Sequence, residues 1–416
     1  MTQPILKLRD VVVEFPALRG IKALMAPRDA RHVQALNGIS LEVMRGETLA
    51  IVGESGSGKT TLARAINGLL PLAGGEIWFK DIALHQRPDW HDIRRQMAMM
   101  FQDTVGSLSP RKTVRDLVLE PFAIHGRKAG NPTETAACLL EDAGLNADFL
   151  NRYPHQLSGG QARRVGVARA LALNPAVVLA DEPTAGLDVS VQGEILNLLN
   201  AIKAEHGLTT VIITHNLNIL RHIADRIAVM YLGRIVEIGP VTQIMEAPRH
   251  PYTAALMSAN PEPDPTTRRE RIILSGETPA LTSRPTGCEF HPRCPVARDD
   301  CSARVPELTQ AGPRAVSCHY PISENTSVTA SISGATIAQM VMLGWPVMVM
   351  SPPAIGWKSP RAKPTCPDRR SRSASRPAQT CRDSAVRFRK WRRPSAIYAS
   401  ATAIIWVCLH RSPMAG

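Results

Sequence analysis

The chain has 416 residues, with 49 Lys/Arg against 36 Asp/Glu and a formal net charge of +13, long enough for two or three domains around a large buried core. The charge invites a nucleic-acid reading, but its distribution argues against one. From Ser323 onward there are 14 Lys/Arg and 3 Asp/Glu, which leaves a net of only +2 for residues 1–322 and no phosphate-binding footprint on the folded body.

Residues 5–15 (ILKLRDVVVEF) alternate as a strand, and Met1–Val13 lacks the cationic start and apolar run of a secretory signal, so a cytosolic protein is expected. Residues 16–34 are irregular and basic and read as an inserted loop. ISLEVMRGETLAIVG predicts a strand, a turn at Arg45-Gly46 and a second strand. That strand runs into Gly53-x4-Gly58-Lys59-Thr60, which opens a helical stretch, GKTTLARAINGLL, ending near Pro71. Glycine there lets backbone N–H groups approach a phosphate with no Cβ in the way, and the following helix aims its positive end at the same point. Gly53, Glu54, Ser55, Gly56, Ser57, Gly58, Lys59, Thr60 and Thr61 are therefore expected to bind nucleotide. In this scheme Lys59 reaches the β/γ-phosphates and the Thr60 hydroxyl ligates Mg²⁺. A chance glycine-rich turn is the bland alternative, and the strand–loop–helix setting weighs against it.

GGEIWF is a further strand, and residues 113–150 are mainly helical, with apolar positions three and four apart. Cys138 stands alone in that pattern and reads as a buried, inert thiol. LSGGQ (157–161) heads the helical run ARRVGVARALAL. Ser158, Gly159 and Gly160 there form a second phosphate-sized N–H nest, with Ser158 as an ordinary N-cap the plainer account. If the two nests lie on opposite sides of a domain, two chains facing head to tail can complete each other's sites. VVLADEP is a short, wholly apolar strand of the kind buried on both faces of a parallel sheet. Its end places Asp181 near the metal and Glu182 where it can polarise an attacking water. TTVIITHN is a second such strand, and the alternation of strands and helices indicates an α/β sheet domain over residues 1–245.

From His250 the character changes. HPYTAALMSANPEPDP predicts one short helix and a proline-rich linker, and residues 272–322 form a small Cys/Pro-rich unit. Cys288, Cys294, Cys301 and Cys318 follow C-x5-C-x6-C-x16-C, which is not zinc-knuckle spacing. Four thiolates suit a [4Fe–4S] cluster or a Zn²⁺ ion; a stapled loop or unliganded thiols remain open, and His291 and His319 are rival ligands. Residues 323–416 carry no sustained periodicity yet hold four of the six tryptophans. Disordered linkers are poor in aromatics, so this tail is expected to be disordered, with the composition of a shifted reading frame. Its most apolar run, Ala335–Met350, is shorter than the ~20 residues of a membrane span and carries Pro346.

The motifs together resemble ATP-binding cassette (ABC) transporter ATPases, in that family's order. They are the phosphate loop at 53–60, FQD with Gln102, LSGGQ, VVLADEP, GLD with Asp188, and ITHN with His215. The resemblance covers about residues 5–320. It implies an α/β P-loop NTPase fold: a cassette over 1–245 with a RecA-like core and a helical subdomain at about 103–170, then a Cys-rich C-terminal region over 246–322. It further implies a sandwich dimer that closes on two ATP with Mg²⁺. Ser158, Gly159, Gly160, Gln161 and Asp188 would meet nucleotide, Thr60, Gln102 and Asp181 would serve the metal, and Glu182, His215 and Gln102 would be catalytic. Phe15 would stack on adenine, with a core phenylalanine as the rival account.

SLSPRKTVRDLVLEPFAIHG, HPYTAALMSANPEPDP and GCEFHPRCPVARDDCSARVPEL resemble oligopeptide/dipeptide importer ATPases, and the 16–34 insert their second, F-type member. The implied partners are a paralogous ATPase, two permeases and an extracytoplasmic substrate-binding protein, with no nucleic acid. The implied place is the cytoplasmic face of the inner (plasma) membrane, held peripherally. Relatives carry peptides, nickel or glutathione, and their four-Cys element is associated with an iron–sulfur cluster. An ABC ATPase acting on nucleic acid usually has two cassettes or a long coiled coil, and about 55 residues between Gln102 and Leu157 are too few for one. A dead cassette is disfavoured by Lys59, Asp181, Glu182 and His215. Two positions depart from the family pattern. Thr104 stands where proline usually follows the FQD aspartate, and Gln161-Ala162-Arg163-Arg164 replaces a run that often has Arg and Gln in the middle.

Overall fold

The computed structural model describes residues 3–17, 32–86, 90–260 and 271–323. Most of the basic insert, the proline-rich linker and the tail after Ser323 lie outside the described residues, and so do the expectations made for them.

Two long strands, β1 (Pro4–Pro16) and β2 (His32–Met44), pair antiparallel. A turn leads to β3 (Thr48–Val52), all five residues of which are buried, and the phosphate loop hands over to α1 (Lys59–Ile66). β4 (Gly74–Phe79) and β5 (Ile82–Ala83) then complete a four-stranded antiparallel sheet in the order β2-β1-β4-β5. α2 (His91–Gln96) and β6 (Met97–Met100) return the chain to a second, larger sheet.

A helical unit follows: α3 (Val114–Ile124), capped by Thr113, α4 (Pro132–Asp142), capped by Asn131, and α5 (Gly159–Leu171). Its own core holds Val114, Leu117 and Val118 against Leu140 and Val165. Cys138 corrects the expectation of a buried thiol. It is exposed, because α4 buries Ala136 and Leu140, four residues apart, and a residue midway between them faces outward.

The chain then alternates: β7 (Val177–Asp181), α6 (Val189–His206), β8 (Thr209–Ile213), the short α7 (Leu220–Ile223), and the hairpin β9 (Arg226–Tyr231) and β10 (Arg234–Pro240). β3 runs parallel to β8 and β9, and β7 to β6 and β8. Like β3, β7 and β8 are buried at every residue, as central parallel strands covered on both faces must be. Alternate residues serve the two faces. Leu49 and Ile51 meet the small sheet and α1, while Ala50 and Val52 meet the layer built on α6.

The C-terminal part is built onto this frame. α8 (Val241–Glu246), α9 (Pro251–Ser258) and α10 (Asp299–Ala303) precede β11 (Thr309–Ala311) and β12 (Arg314–Val316). β12 pairs antiparallel with β10, giving the order β11-β12-β10-β9-β3-β8-β7-β6. Phe290 from the cysteine loop is buried in the same core as Tyr231 and Tyr252, with ring centroids 5.3 and 5.4 Å away. Arg284 spans further, donating to the carbonyls of Leu232 and Gln34 and to Glu289. Residues 272–322 thus share a core and a sheet with the domain that precedes them.

Candidate functional site

The loop from Gly53 to Gly58 lies where β3 ends and α1 begins. Both glycines hold positive φ, +151° and +98°. A Cβ on Gly53 would sit 2.2 Å from the Met230 carbonyl oxygen, and one on Gly58 2.7 Å from that of Ala35, so neither position admits a side chain. Lys59 Nζ is folded over the loop, donating to the carbonyls of Gly53 (2.9 Å) and Glu54 (2.8 Å). Burial lowers its ammonium pKa, against the pull of Glu182, Asp181 and Glu54.

Asp181, the last residue of β7, is only 4 % exposed, and its Oδ1 has no hydrogen-bond partner. Burial raises its carboxyl pKa, the Glu182 charge adds to that, and the Thr60 hydroxyl opposes it. An orphaned, buried carboxylate oxygen beside a threonine hydroxyl is costly unless a cation or water meets it. Thr60 and Asp181 therefore fit a Mg²⁺ ion.

The next residue, Glu182, has φ +50°, a left-handed conformation that costs a non-glycine residue about 1–3 kcal/mol. Its backbone N–H donates to the Ile213 carbonyl of β8. The carboxylate is gripped on both sides. Gln102 Nε2 donates to Oε2 at 3.0 Å, and His215 Nδ1 lies 2.9 Å from Oε1. Two residues far apart in sequence, Gln102 and His215, thus converge on the Glu182 carboxylate. Such strain is kept where the surroundings over-determine it, as they do here.

Ser158 to Gln161 stand elsewhere, at the start of α5. Ser158 Oγ accepts from the Gln161 N–H and Gln161 Oε1 accepts from the Ser158 N–H, a reciprocal cap. Ser158 and Gly159 are exposed, as is Asp188, the N-cap of α6, and Val189 beside it is 85 % exposed. Phe15, at the end of β1, is 39 % exposed and so is not a core residue. The two departures from the family pattern touch each other. Arg163, buried in α5, donates to Thr104 Oγ1 (2.6 Å), to the Gln102 carbonyl (2.9 Å) and to the Ala185 carbonyl (2.9 Å). One guanidinium therefore ties the signature helix to the segments that carry Gln102 and Asp188, a link that no contiguous motif announces.

Glu54 is held from the C-terminal region. Its N–H donates to Tyr252 Oη, and its carboxylate is taken by Arg293 and Thr278, all from the C-terminal region. The four C-terminal cysteines are free thiols. Burial pushes Cys294 and Cys318 up to about 12, with smaller contributions from the neighbouring thiols. Among the described residues no group of three or more His, Cys, Asp or Glu side chains is arranged to hold a metal ion. As placed, the thiols share a neighbourhood but form no ligand set for an iron–sulfur cluster or zinc.

Residues 36–185 match the sequence profile of the family described as ABC transporter, and residues 236–301 that described as oligopeptide/dipeptide transporter, C-terminal region. The chain is 43 % identical over 324 residues to the oligopeptide transport ATP-binding protein AppF of Bacillus subtilis, covering 76 % of this chain and 97 % of that one. It is 43 % identical over 322 residues to the dipeptide transport ATP-binding protein DppF of Escherichia coli, covering 76 % and 95 %. Among solved structures it resembles the dimeric post-hydrolysis state of the ATP-binding cassette MJ0796 bound to ADP and Pi. That match has 32 % identity and a TM-score of 0.50, over 57 % of this chain and 98 % of that one.

Proposed function

The chain belongs to the ABC transporter ATPases, and on that premise we propose that it is the ATP-hydrolysing motor subunit of an importer for di- or oligopeptides. The observation that carries the reading is the Glu182 carboxylate, held between Gln102 and His215 beside the phosphate loop. In this account Gly53, Ser55, Gly56, Ser57, Gly58 and Thr61 cradle the phosphates, Lys59 turns to the β/γ-phosphates, and Phe15 stacks on adenine. Thr60, Asp181 and Gln102 hold Mg²⁺, which when bound neutralises phosphate charge. Glu182 orients and polarises the attacking water, and His215 keeps that carboxylate aimed while facing the γ-phosphate.

The exposed Ser158–Gln161 nest and the exposed Asp188 and Val189 support a second cassette closing on this one. The relative MJ0796 is dimeric. Partner choice follows the peptide-transport relatives: a paralogous ATPase, two permeases and an extracytoplasmic binding protein. Peripheral attachment through the permeases follows the same relatives; among the described residues no helix is long and apolar enough to cross a membrane. A groove of about 430 Å³ beside the Gln102 segment, lined by Phe101, Pro121, Ile124, Arg94 and His125, supports docking there. Nickel or glutathione is the alternative cargo, and an iron–sulfur cluster is no part of this proposal.

The test is Glu182→Gln in the full chain. ATP binding should stay within about twofold, while turnover falls by at least about a hundredfold, the size of a lost general base. Unchanged turnover would remove Glu182 from that role.

A further inference from the structure

A carboxylate next to bound phosphates is a liability. Glu54 follows the first glycine of the phosphate loop, and it lies within electrostatic reach of Lys59, the cation assigned to the phosphates. A free charge there would repel the di- or triphosphate and compete with it for Lys59.

The C-terminal region removes that charge from play. Arg293 Nη1 donates to Glu54 Oε2 at 2.9 Å and Nη2 to Oε1 at 3.3 Å, a two-point grip, and Thr278 Oγ1 donates to Oε2 at 2.6 Å. Arg293 is only 9 % exposed. Its position is fixed from behind: its N–H donates to the carbonyl of the buried Phe290, and its Nη1 also donates to Thr278 Oγ1. A third contact holds the loop backbone, since the Glu54 N–H donates to the buried Tyr252 hydroxyl at 2.9 Å. Three C-terminal segments, carrying Tyr252, Thr278 and Arg293, thus meet at one residue of the loop.

We infer that Arg293 and Thr278 are positioning residues of the nucleotide site, a clamp that neutralises Glu54 and holds the phosphate loop in its binding shape. The inference rests on the reading of this loop as the nucleotide site. It makes the C-terminal region a working part of the ATP site, and it predicts a pattern of effects that simple structural support would not give.

The experiment is MgADP titration of the full chain by calorimetry, since ADP reports the loop without hydrolysis. Arg293→Met should weaken MgADP about tenfold, because it strands the Glu54 carboxylate beside the phosphates. Glu54→Gln alone should bind within about twofold of wild type, and Glu54→Gln with Arg293→Met should recover most of the loss. Thr278→Val, which removes one donor to the same carboxylate, should weaken binding about threefold and serves if Arg293→Met does not fold. Wild-type affinity in both Arg293→Met and Thr278→Val overturns the clamp, as does a double variant as weak as Arg293→Met alone. Wild-type protein that fails to bind MgADP overturns the nucleotide-site reading itself, which separates the two failures.

Discussion

At the scale of single residues, the site is a set of groups whose neighbours fix what each can do. Asp181 is buried with one oxygen unmet, which suits a cation, whereas Glu182, one residue on, is turned by its positive φ toward Gln102 and His215. Arg163 decides whether Gln102 is in place, since it donates to the Gln102 carbonyl and to Thr104 two residues later. Arg163→Met should therefore lower kcat by about tenfold or more, through a displaced Gln102, with MgADP affinity within about twofold of wild type. Steady-state kinetics beside an ADP titration check this, and an equal loss in both would mean that Arg163 only supports the fold. Lys59, Asp181 and Glu182 were legible as candidates because each sits in a contiguous motif. Arg163 was visible only as a departure from pattern, because its three acceptors come from two other segments.

At the scale of elements, the central strands were legible because burial on both faces leaves apolar runs, as in residues 177–180 and 211–213. β9 carries the same signal in residues 227–231, whereas Glu237 interrupts β10 and the strands β11 and β12 are only three residues long; Cys138 faces outward because Ala136 and Leu140 choose the buried face of α4. The His250-Pro251-Tyr252 stretch was recognisable, but its mechanical role was not. His250 caps α9, its Nδ1 accepting the Tyr252 N–H at 3.0 Å, and its own N–H donates to the buried Glu237. Complete burial lowers its pKa from 6.5 to about 3. Below pH 6.5 the unfolded chain takes up a proton that the folded chain refuses. This contribution to stability is therefore full above pH 6.5 and is lost progressively as pH falls toward 3, at up to about 1.4 kcal/mol per pH unit. His250→Asn keeps a capping acceptor but does not titrate. Between pH 6.5 and 4.5 its Tm should fall less than that of wild type, with Glu237 common to both, and parallel Tm curves would contradict this.

At the scale of the whole molecule, the two glycine-rich helix starts proposed to meet phosphate belong to different elements, α1 and α5. Lys59, Asp181 and Glu182 gather at the ends of β3 and β7, while Ser158 to Gln161 present an exposed helix start beside the exposed Asp188. The order of the motifs announced this division, whereas the link between Glu54 and Arg293, 239 residues apart, exists only once the C-terminal region packs against the cassette. The central claim is that nucleotide joins the loop of one cassette to the signature nest of another. Sedimentation of the Glu182→Gln chain, alone and mixed with the proposed paralogous ATPase, tests it directly. MgATP, and not MgADP, should produce a cassette dimer that Gly159→Arg abolishes; a sedimentation profile unchanged by MgATP in both samples would contradict the account.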